Sequence, residues 1–285
     1  MVKFSVISVC LNMETEIRDT IQSVLRQTYT NYEYLIKDGL SSDGTIAVAE
    51  SYRAAFAAKN VSFRIISSAD SGVYDAMNQA IREAKGEWVI LMNAGDSFSN
   101  QSVLADVVKS GCLEKADIVY GDRILRNQNQ FCYRKASALE TIRFALPFCH
   151  QSTFTRRELL GSVPYSTQYR ICSDHRFYLQ MYQEGKRFAY YPNAVSIYDI
   201  NGMSSNWKLA CQETIQILEE MPVRDEEAIH LLKKKMETGE REAFLYRHLW
   251  RYVPKRIREK RRALMKKNAD WKTEEEFFGT KKDNT

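Results

Sequence analysis

The sequence is poor in the residues that interrupt, cross-link or anchor a chain. Its 285 residues include only 12 Gly and 5 Pro, which excludes collagen-like, linker-dominated and low-complexity architectures. The six cysteines are widely spaced and form no Cys-x-x-Cys pair, so we expect reduced thiols instead of disulfides or a zinc site. The most apolar window, Trp88 to Met92, ends at Asn93, far short of the roughly 20 apolar residues that span a bilayer. A membrane-spanning chain is therefore not expected.

The amino terminus also lacks the features of a targeting segment. It passes directly into an alternating apolar pattern, without the apolar run and small-residue cleavage site of a secretion signal. Together with the cysteine spacing, this absence predicts a cytoplasmic protein. The hydrophobic content of 44% and charged content of 27% are those of an ordinary globular protein. A chain of this length forms one large domain with an appendage, or two small domains.

Positive charge is concentrated near the carboxyl terminus. Residues 1–223 carry 23 basic and 24 acidic side chains, whereas residues 224–268 carry 15 and 7. The basic character therefore belongs to a terminal segment and not to the main body. We predict a basic helical extension over residues 222–285.

The extension contains an amphipathic pattern. Leu245, Leu249 and Val253 fall on one helical stripe with arginine and lysine on its flanks, which is typical of a helix that lies on an anionic membrane. The simpler alternative is a solvated helix packed on the body, and Pro254 interrupts the stripe. We predict peripheral membrane contact through residues 244–267. No nucleic acid is expected as a partner, because no DNA-binding or RNA-binding module is recognisable.

Strand-like and helical patterns alternate in the first hundred residues. Apolar runs suited to strands occur at Phe4–Val9, Tyr34–Lys37, Phe63–Ile66 and Trp88–Met92. Between the first two runs, the spacing of a helix face is followed by Ile17, Ile21, Val24 and Leu25. This βαβα series predicts the α/β class, with a Rossmann-like, mainly parallel sheet flanked by helices. Ligands then bind beyond the carboxyl ends of the strands.

The pattern loosens after about residue 105. We expect strands at Ile118–Tyr120, Phe188–Tyr191 and Ala194–Tyr198, a hairpin through Arg123–Arg134, and helices at Ser173–Glu184 and about Asn206–Glu220. The loop after each early strand is therefore the better place to look for a site.

Three of those loops carry acidic residues: Asp38–Thr45, Asp70–Gly72 and Asn93–Asp96. In any one loop, Asp and Gly are more simply explained as turn residues. Three such loops at one edge of a sheet favour a polar cleft suited to a nucleotide. Neither G-x-G-x-x-G nor G-x-x-x-x-G-K-[ST] is present, so a diphosphate would need a divalent cation held by oxygen ligands such as Asp96.

Four ordered segments resemble the motifs of glycosyltransferase family 2: Phe4–Asn12, Lys37–Thr45, Asp70–Asn78 and Gly86–Asp96. The resemblance covers roughly residues 3–205 and is greatest to the branch that builds bacterial O-antigen and related surface polysaccharides. It implies a GT-A fold and a nucleotide-diphosphate sugar donor, most often a UDP-sugar. It also implies a divalent cation, Mn²⁺ or Mg²⁺, and inversion at the anomeric carbon.

The resemblance also implies roles for individual residues. On the nucleotide-sugar side are Asn12, Glu14, Asp38, Asp70, Asn93 and Asp96. Asp96 is the implied metal ligand, and the usual Asp-x-Asp motif is reduced because Asn93 occupies its first position. On the acceptor or diphosphate side are His150, Gln151 and Arg156. Asp174 is the implied catalytic base, although without the resemblance it is more simply a helix-start residue favoured by the macrodipole.

Two further features, one from the resemblance and one from the aromatic content, concern substrate binding. Residues Asn201–Ser205 are similar to a loop that closes over donor and acceptor in such enzymes. Candidates for stacking against a sugar, most of them expected in the core or at its rim, are Tyr165, Tyr169, Tyr190, Tyr191 and Trp207.

These expectations combine into an inverting, metal-dependent glycosyltransferase that extends a lipid-linked saccharide at the cytoplasmic membrane face. Residues 1–105 are the nucleotide-sugar-binding half and residues 106–221 the acceptor-binding half of one domain. Two alternatives stay open. The first is a sugar-nucleotide pyrophosphorylase, which usually carries a glycine-rich basic loop that Asn12–Thr15 lacks. The second is a non-catalytic membrane-binding adaptor, which would use the basic extension.

Overall fold

The structure, a computed structural model, describes residues 2–200, 206–249 and 271–278, and of residues 240–249 the backbone alone. The strands are β1 (Phe4–Cys10), β2 (Tyr32–Asp38), β3 (Ser62–Ser67), β4 (Trp88–Leu91), β5 (Ser97–Phe98), β6 (Ile118–Asn127), β7 (Gln130–Arg134), β8 (Thr153–Arg156), β9 (Phe188–Asp199) and β10 (Lys272–Thr273). The α-helices are α1 (Ile17–Leu25), α2 (Thr45–Glu50), α3 (Arg53–Ala58), α4 (Val73–Glu83), α5 (Val103–Lys109), α6 (Cys112–Lys115), α7 (Arg157–Ser162), α8 (Ser173–Gln183), α9 (Trp207–Glu220), α10 (Glu226–Leu249) and α11 (Glu274–Phe278). Two 3₁₀ turns lie at Leu139–Arg143 and His150–Ser152.

One sheet runs through the described part of the chain, in the order β10-β7-β6-β8-β4-β1-β2-β3, with β9 beside β6 and β5. The pairs among β1, β2, β3 and β4 are parallel, because each of these strands reaches the next through a helical crossover. A short turn joins β6 to β7, so that pair is antiparallel. The expected α/β class is confirmed. The sheet as a whole is mixed, and its parallel pairs are concentrated in the first hundred residues.

The helices cover both faces of the sheet, and each face has its own hydrophobic core. On one face, α4 buries Met77 and Ile81 and α8 buries Phe177, in a cluster that also contains residues of β1 and β4. On the other, α1 buries Ile17 and Ile21 at its predicted helix face. All seven residues of β1 are buried, as expected for a central strand covered on both sides.

The second half departs from the predicted bounds in two places. The strands predicted at Phe188–Tyr191 and Ala194–Tyr198 form a single strand, β9, whose register against β6 shifts beside Asp122. The four-residue strand β8, which joins β6 to β4, was not predicted, because so short a run shows too little alternation to recognise. The predicted helix from about Asn206 is confirmed, and the Asn206 side chain caps it by accepting from the Leu209 amide at 3.1 Å.

The carboxyl-terminal part is helical as far as residue 249. Helix α10 packs on α9, and β10 adds an antiparallel edge to β7 through Lys272 and Thr273. Most of the predicted membrane segment, residues 250–267, and the predicted closing loop, Asn201–Ser205, lie outside the described residues. The divisions at residues 105 and 221 stay predictions. Among the described helices, none combines the length and the apolarity needed to cross a bilayer.

Candidate functional site

A line of hydrogen bonds joins the end of β4 to the start of α8. The Asn93 amide nitrogen lies 3.3 Å from His150 Nε2, and His150 Nδ1 lies 2.9 Å from a carboxylate oxygen of Asp174. Beside this line, Gln151 Nε2 donates to Asp96 Oδ2 at 2.9 Å. The 3₁₀ turn at His150–Ser152 therefore brings the predicted metal ligand and the predicted base together, although they are far apart in sequence.

Asp174 is a nearly buried carboxylate at the first turn of α8. It is 9% exposed, and its Oδ1 accepts from the Tyr74 hydroxyl at 3.1 Å and from the His175 amide at 2.8 Å. Burial alone would raise its pKa, but the hydrogen bond and charge of His150, together with the His175 amide, hold the pKa of Asp174 below its ordinary value. The carboxylate is therefore ionised at neutral pH and able to accept a proton.

His150 is held between two partners. Its Nδ1 faces the Asp174 carboxylate, which accepts, so Nδ1–H donates to Asp174. Its Nε2 lies beside the Asn93 amide nitrogen. The imidazole is thus fixed between the end of β4 and the start of α8.

Asp96 is the more buried of the two carboxylates, at 6% exposed. Desolvation raises its pKa to about 6, and the Gln151 hydrogen bond and the charge of His150 offset only part of this effect. Its loop has a tight turn in which the Asp96 amide donates to the Asn93 carbonyl at 2.9 Å. Gly95 has a φ of +98° there, a conformation that favours glycine.

The Asp96 loop is held from outside by two residues. Thr20 Oγ1 accepts from the Gly95 amide at 3.0 Å and donates to the Asp96 carbonyl at 2.7 Å. Arg126, on β6, donates to the Gly95 carbonyl at 2.7 Å and also pairs with Asp199 at 3.3 Å. These bonds fix the direction in which the Asp96 carboxylate can meet a ligand.

The donor set at the end of β4 suits a divalent cation whose coordination is completed by a ligand. Asn93 Oδ1 is buried and has no hydrogen-bond partner, and Asp96 supplies a desolvated carboxylate whose ionised form a cation would stabilise. Across the parts of the chain that the structure describes, no three His, Cys, Asp or Glu side chains are grouped closely enough to hold a metal. Asn93 and Asp96 would therefore supply two oxygen ligands to such a cation, and diphosphate oxygens and water would supply the others.

Asp38 and Asp70 lie at the ends of β2 and β3, on either side of a buried lysine. Lys37 Nζ, with a fully buried side chain, pairs with Asp70 at 2.8 Å. Asp38 is also fully buried, and its carboxylate accepts from the Ser41 amide at 3.0 Å and from the Ser67 hydroxyl at 2.8 Å. The two carboxylates therefore brace their loops, and their contact with a nucleotide base stays a prediction.

Asn12 and Glu14 join the loop after β1 to the loop after β2. Asn12 Oδ1 accepts from the Ser42 amide at 2.8 Å, and Glu14 Oε2 accepts from the Gly44 amide at 3.1 Å. Asn12 itself has a φ of +52°. The local role of both side chains is to fasten the two loops at the carboxyl edge of the sheet.

The structure does not bring Arg156 to the other predicted residues. Its guanidinium donates to Glu87 at 2.5 Å and lies 4.6 Å from the centre of the Trp88 ring. Trp88 begins β4, whereas Asn93 follows the opposite end of that strand. The position of Arg156 beside Trp88 is set by the antiparallel pairing of β8 with β4.

The family of the chain follows from its sequence. Residues 5–178 match the sequence profile described as "Glycosyl transferase family 2". The chain belongs to this family. A "PGL/p-HBAD biosynthesis glycosyltransferase" from Mycobacterium bovis (strain BCG / Pasteur 1173P2) is 34% identical over 208 residues, which are 71% of this chain and 79% of the relative.

Solved structures of other glycosyltransferases share the fold. Staphylococcus aureus TarS 1-349 in complex with UDP-GlcNAc is 18% identical with a TM-score of 0.61, over 80% of this chain and 69% of that one. The mannosyltransferase PcManGT from Pyrobaculum calidifontis, in complex with GDP-Man and Mn²⁺, is 19% identical with a TM-score of 0.61, over 82% and 69%. These similarities confirm the GT-A fold that the sequence motifs implied.

Several side chains that shape this family 2 site were not foreseen from the sequence. Tyr74 lay inside a recognised motif, but its bond to Asp174 depends on the packing of α4 against α8. Thr20 and Arg126 are polar residues without a motif. Glu213, on α9, accepts from three consecutive backbone amides just before Asp174, at 2.7, 3.0 and 2.9 Å. Only the fold identifies these supports.

Proposed function

We propose that this family 2 enzyme transfers a sugar from a UDP-sugar to a hydroxyl group of a saccharide acceptor, with inversion. The observation that carries the proposal is the pairing of His150 with Asp174 beside the Gln151–Asp96 pair. An ionised, hydrogen-bonded carboxylate thus stands next to a buried carboxylate suited to a cation. Inverting displacement needs a base on one side and charge neutralisation on the other.

Each residue has a distinct part in this reaction. The acceptor hydroxyl gives its proton to Asp174 as its oxygen bonds to the anomeric carbon and the bond from that carbon to the diphosphate oxygen breaks. His150 and Tyr74 hold the Asp174 carboxylate in position, and His150 keeps it ionised until the proton arrives. Asp96 and the Asn93 amide oxygen would hold a divalent cation, which supplies positive charge to the departing diphosphate.

The donor and acceptor are assigned by analogy with the relatives. One structural neighbour was solved with UDP-GlcNAc, and another with GDP-Man. The names of two relatives refer to PGL/p-HBAD biosynthesis and to poly(ribitol-phosphate) N-acetylglucosaminyl transfer. We therefore propose a step in surface-glycan synthesis, on a lipid-linked acceptor at the cytoplasmic face of the membrane, with residues 106–221 on the acceptor side. The pyrophosphorylase alternative is not favoured, because Asn12–Thr15 has neither the glycines nor the basic residues of its usual loop.

Calorimetry with UDP and GDP, in the presence of Mn²⁺, Mg²⁺ or a chelator, tests the donor. We expect UDP to bind more tightly than GDP, with an affinity that rises when either cation is present. Asp96→Asn should lose the cation-dependent part of that affinity. Tighter binding of GDP would change the donor class, and cation-independent binding by the wild type would remove the metal from the proposal.

Asp174→Asn tests the base. UDP affinity should be unchanged, whereas UDP release from UDP-GlcNAc, UDP-glucose or UDP-galactose with p-nitrophenyl glycoside acceptors should fall by about 10²- to 10⁴-fold. Asp117→Asn is the matched control, because Asp117 forms a peripheral ion pair with Arg187. A wild-type rate in Asp174→Asn would place the base elsewhere.

A further inference from the structure

Asp122 is a buried carboxylate that the reaction described above does not use. It is 1% exposed. Its carboxylate accepts hydrogen bonds from the hydroxyl groups of two tyrosines, Tyr133 at 2.5 Å and Tyr190 at 2.8 Å. The Ala136 amide donates to the same carboxylate at 2.8 Å. One buried anion thus fixes two aromatic side chains that come from different strands, β7 and β9.

The two tyrosines are partly exposed although both hydroxyls are bonded to a buried carboxylate. A surface tyrosine normally buries its ring and extends its hydroxyl toward water. Here both hydroxyls end on a buried carboxylate, while Tyr133 and Tyr190 are each 40% exposed. Partial burial and the hydrogen bond to Asp122 raise the pKa of Tyr190 to about 12. Each tyrosine therefore keeps part of its surface open to a ligand while its hydroxyl is held by Asp122.

The pair is also rigid on its inner side. The Tyr190 ring centre lies 5.7 Å from that of Tyr120, and Tyr120 stacks on Phe148 at 4.6 Å. Each tyrosine has only two side-chain torsions. Those of Tyr190 are restrained by its hydroxyl bond and its ring contact, and those of Tyr133 by its hydroxyl bond. Binding a ligand on such rings costs little side-chain entropy.

The tyrosine pair adjoins the turn that carries His150. Ser152, two residues beyond His150, donates its hydroxyl to the Asp122 carbonyl at 2.9 Å. Strand β6 runs parallel to β4, since both are antiparallel to β8, so Asp122 lies toward the same sheet edge as Asn93. The exposed rings are thus placed on the side of the base, away from the Lys37–Asp70 pair.

We propose that Tyr133 and Tyr190 form a stacking platform for a sugar ring of the acceptor, with Asp122 as its positioning residue. The inference rests on the proposed function, because it assigns the acceptor side of the same site. A pyranose ring has an apolar C–H face that packs on aromatic rings, and its hydroxyl groups remain at the rim of the contact. Of the aromatics considered from sequence, Tyr165, Tyr169 and Tyr191 are buried and carry no such surface.

Saturation-transfer NMR on the full chain tests the platform, with the methyl glycosides of glucose, galactose, mannose, rhamnose and N-acetylglucosamine as probes. We expect transfer to the C–H protons of at least one glycoside in the wild type. Tyr133→Ala and Tyr190→Ala should each weaken its binding by at least about fivefold. The corresponding Phe variants, which keep the ring, should retain more binding than the Ala variants. Tyr182→Ala, at a tyrosine 38% exposed near the end of α8, is the matched control and should change nothing.

UDP calorimetry on the same samples separates the two proposals. A variant that binds UDP as the wild type does is folded. Each single variant leaves the other tyrosine bonded to Asp122, so at least one is expected to fold. One folded variant is enough to test the platform. The platform is overturned if no glycoside receives saturation in the wild type, or if a folded Ala variant keeps the wild-type signal. Failure of the wild type to bind UDP would count against the proposed donor alone, because the glycoside measurement does not depend on it.

Discussion

Asp96 and Asp174 are two buried carboxylates in one site whose pKa values move in opposite directions. Desolvation dominates at Asp96 and raises its pKa to about 6. At Asp174, hydrogen bonds and the charge of His150 outweigh desolvation and lower the pKa. Environments that shift the pKa values of two acids in opposite directions are typical of catalytic sites. The difference here separates a carboxylate whose charge is desolvated from one whose charge is stabilised by its partners.

Asp96→Asn should stabilise the metal-free protein at neutral pH. Because the folded pKa is about 6 and the ordinary value 3.8, the folded state binds the proton more tightly than the unfolded state. The stability contributed by this group is fully present below the ordinary pKa and is lost as pH rises through about 6. Removing the charge should therefore raise the free energy of unfolding at pH 7.5 by on the order of 1 to 3 kcal/mol.

Thermal melts at pH 5 and pH 7.5, with a chelator present, measure this effect. The Tm gain of Asp96→Asn should be several degrees at the higher pH and about half as large at the lower one. Asp117→Asn is a control of opposite sign, since Arg187 lowers the pKa of Asp117 and its loss destabilises at neutral pH. A lower Tm of Asp96→Asn at pH 7.5 would contradict this prediction, because it would show that the surrounding groups stabilise the ionised carboxylate more than burial destabilises it.

At the scale of elements, the site depends on a short 3₁₀ turn and a helix start, both of which are held by longer strands and helices. The 3₁₀ turn at His150–Ser152 touches β4, β6 and β9, and the start of α8 is fixed from α9. Glu213 on α9 is 7% exposed. Its carboxylate accepts hydrogen bonds from the backbone amides of Arg170, Ile171 and Cys172. The helix that carries Asp174 is thus aligned by a carboxylate from another helix.

Glu213→Ala should misplace Asp174 without affecting the nucleotide side. Three backbone amides would lose their acceptor, at a cost of about 1 to 3 kcal/mol for each buried group left unsatisfied. We expect a lower Tm and a fall in kcat, while UDP affinity is retained. Glu213→Gln, which keeps an acceptor oxygen, should recover part of both losses.

Glu219→Gln is the matched control on the same helix, because Glu219 forms an exposed ion pair with Lys233. It should leave Tm and kcat unchanged. Equal effects of Glu219→Gln and Glu213→Ala would point to a general loss of α9 instead of a specific alignment of Asp174.

At the scale of the whole molecule, charge is divided between a nearly neutral body and a basic extension. We predict that the extension brings the enzyme to anionic lipid. Wild-type protein should co-sediment with vesicles containing about 30% phosphatidylserine at low salt and be released at high salt. Combining Lys255→Glu, Arg256→Glu and Arg258→Glu should weaken this binding by on the order of 100-fold.

The control for that experiment reverses the same number of charges on the body, at the exposed Lys85, Lys109 and Lys115. This variant should bind the vesicles nearly as well as the wild type. Equal losses in both variants would indicate that overall charge, and not the extension, attracts the protein to lipid. UDP affinity should be unchanged in either variant.

The first hundred residues were predictable because their signals are local. Each buried parallel strand is a short apolar run, and the loop that follows it carries its own turn residues, so the positions of Asp38, Asp70 and Asn93 at strand ends could be derived from spacing. The family motifs then identified Asp96 and Asp174. The local signals weaken in the second half, where β8 has four residues and β9 changes register beside Asp122.

The sequence by itself determined the α/β class and the family, and it predicted which carboxylates take part in the chemistry, since apolar period and motif spacing are properties of neighbouring residues. Only the tertiary structure decided which of those residues meet. It placed His150 between Asn93 and Asp174, moved Arg156 to the far end of β4, and buried Asp96 deeply enough to raise its pKa. Contacts, burial and pKa shifts arise from segments distant in the chain, and no local pattern encodes the distance between them.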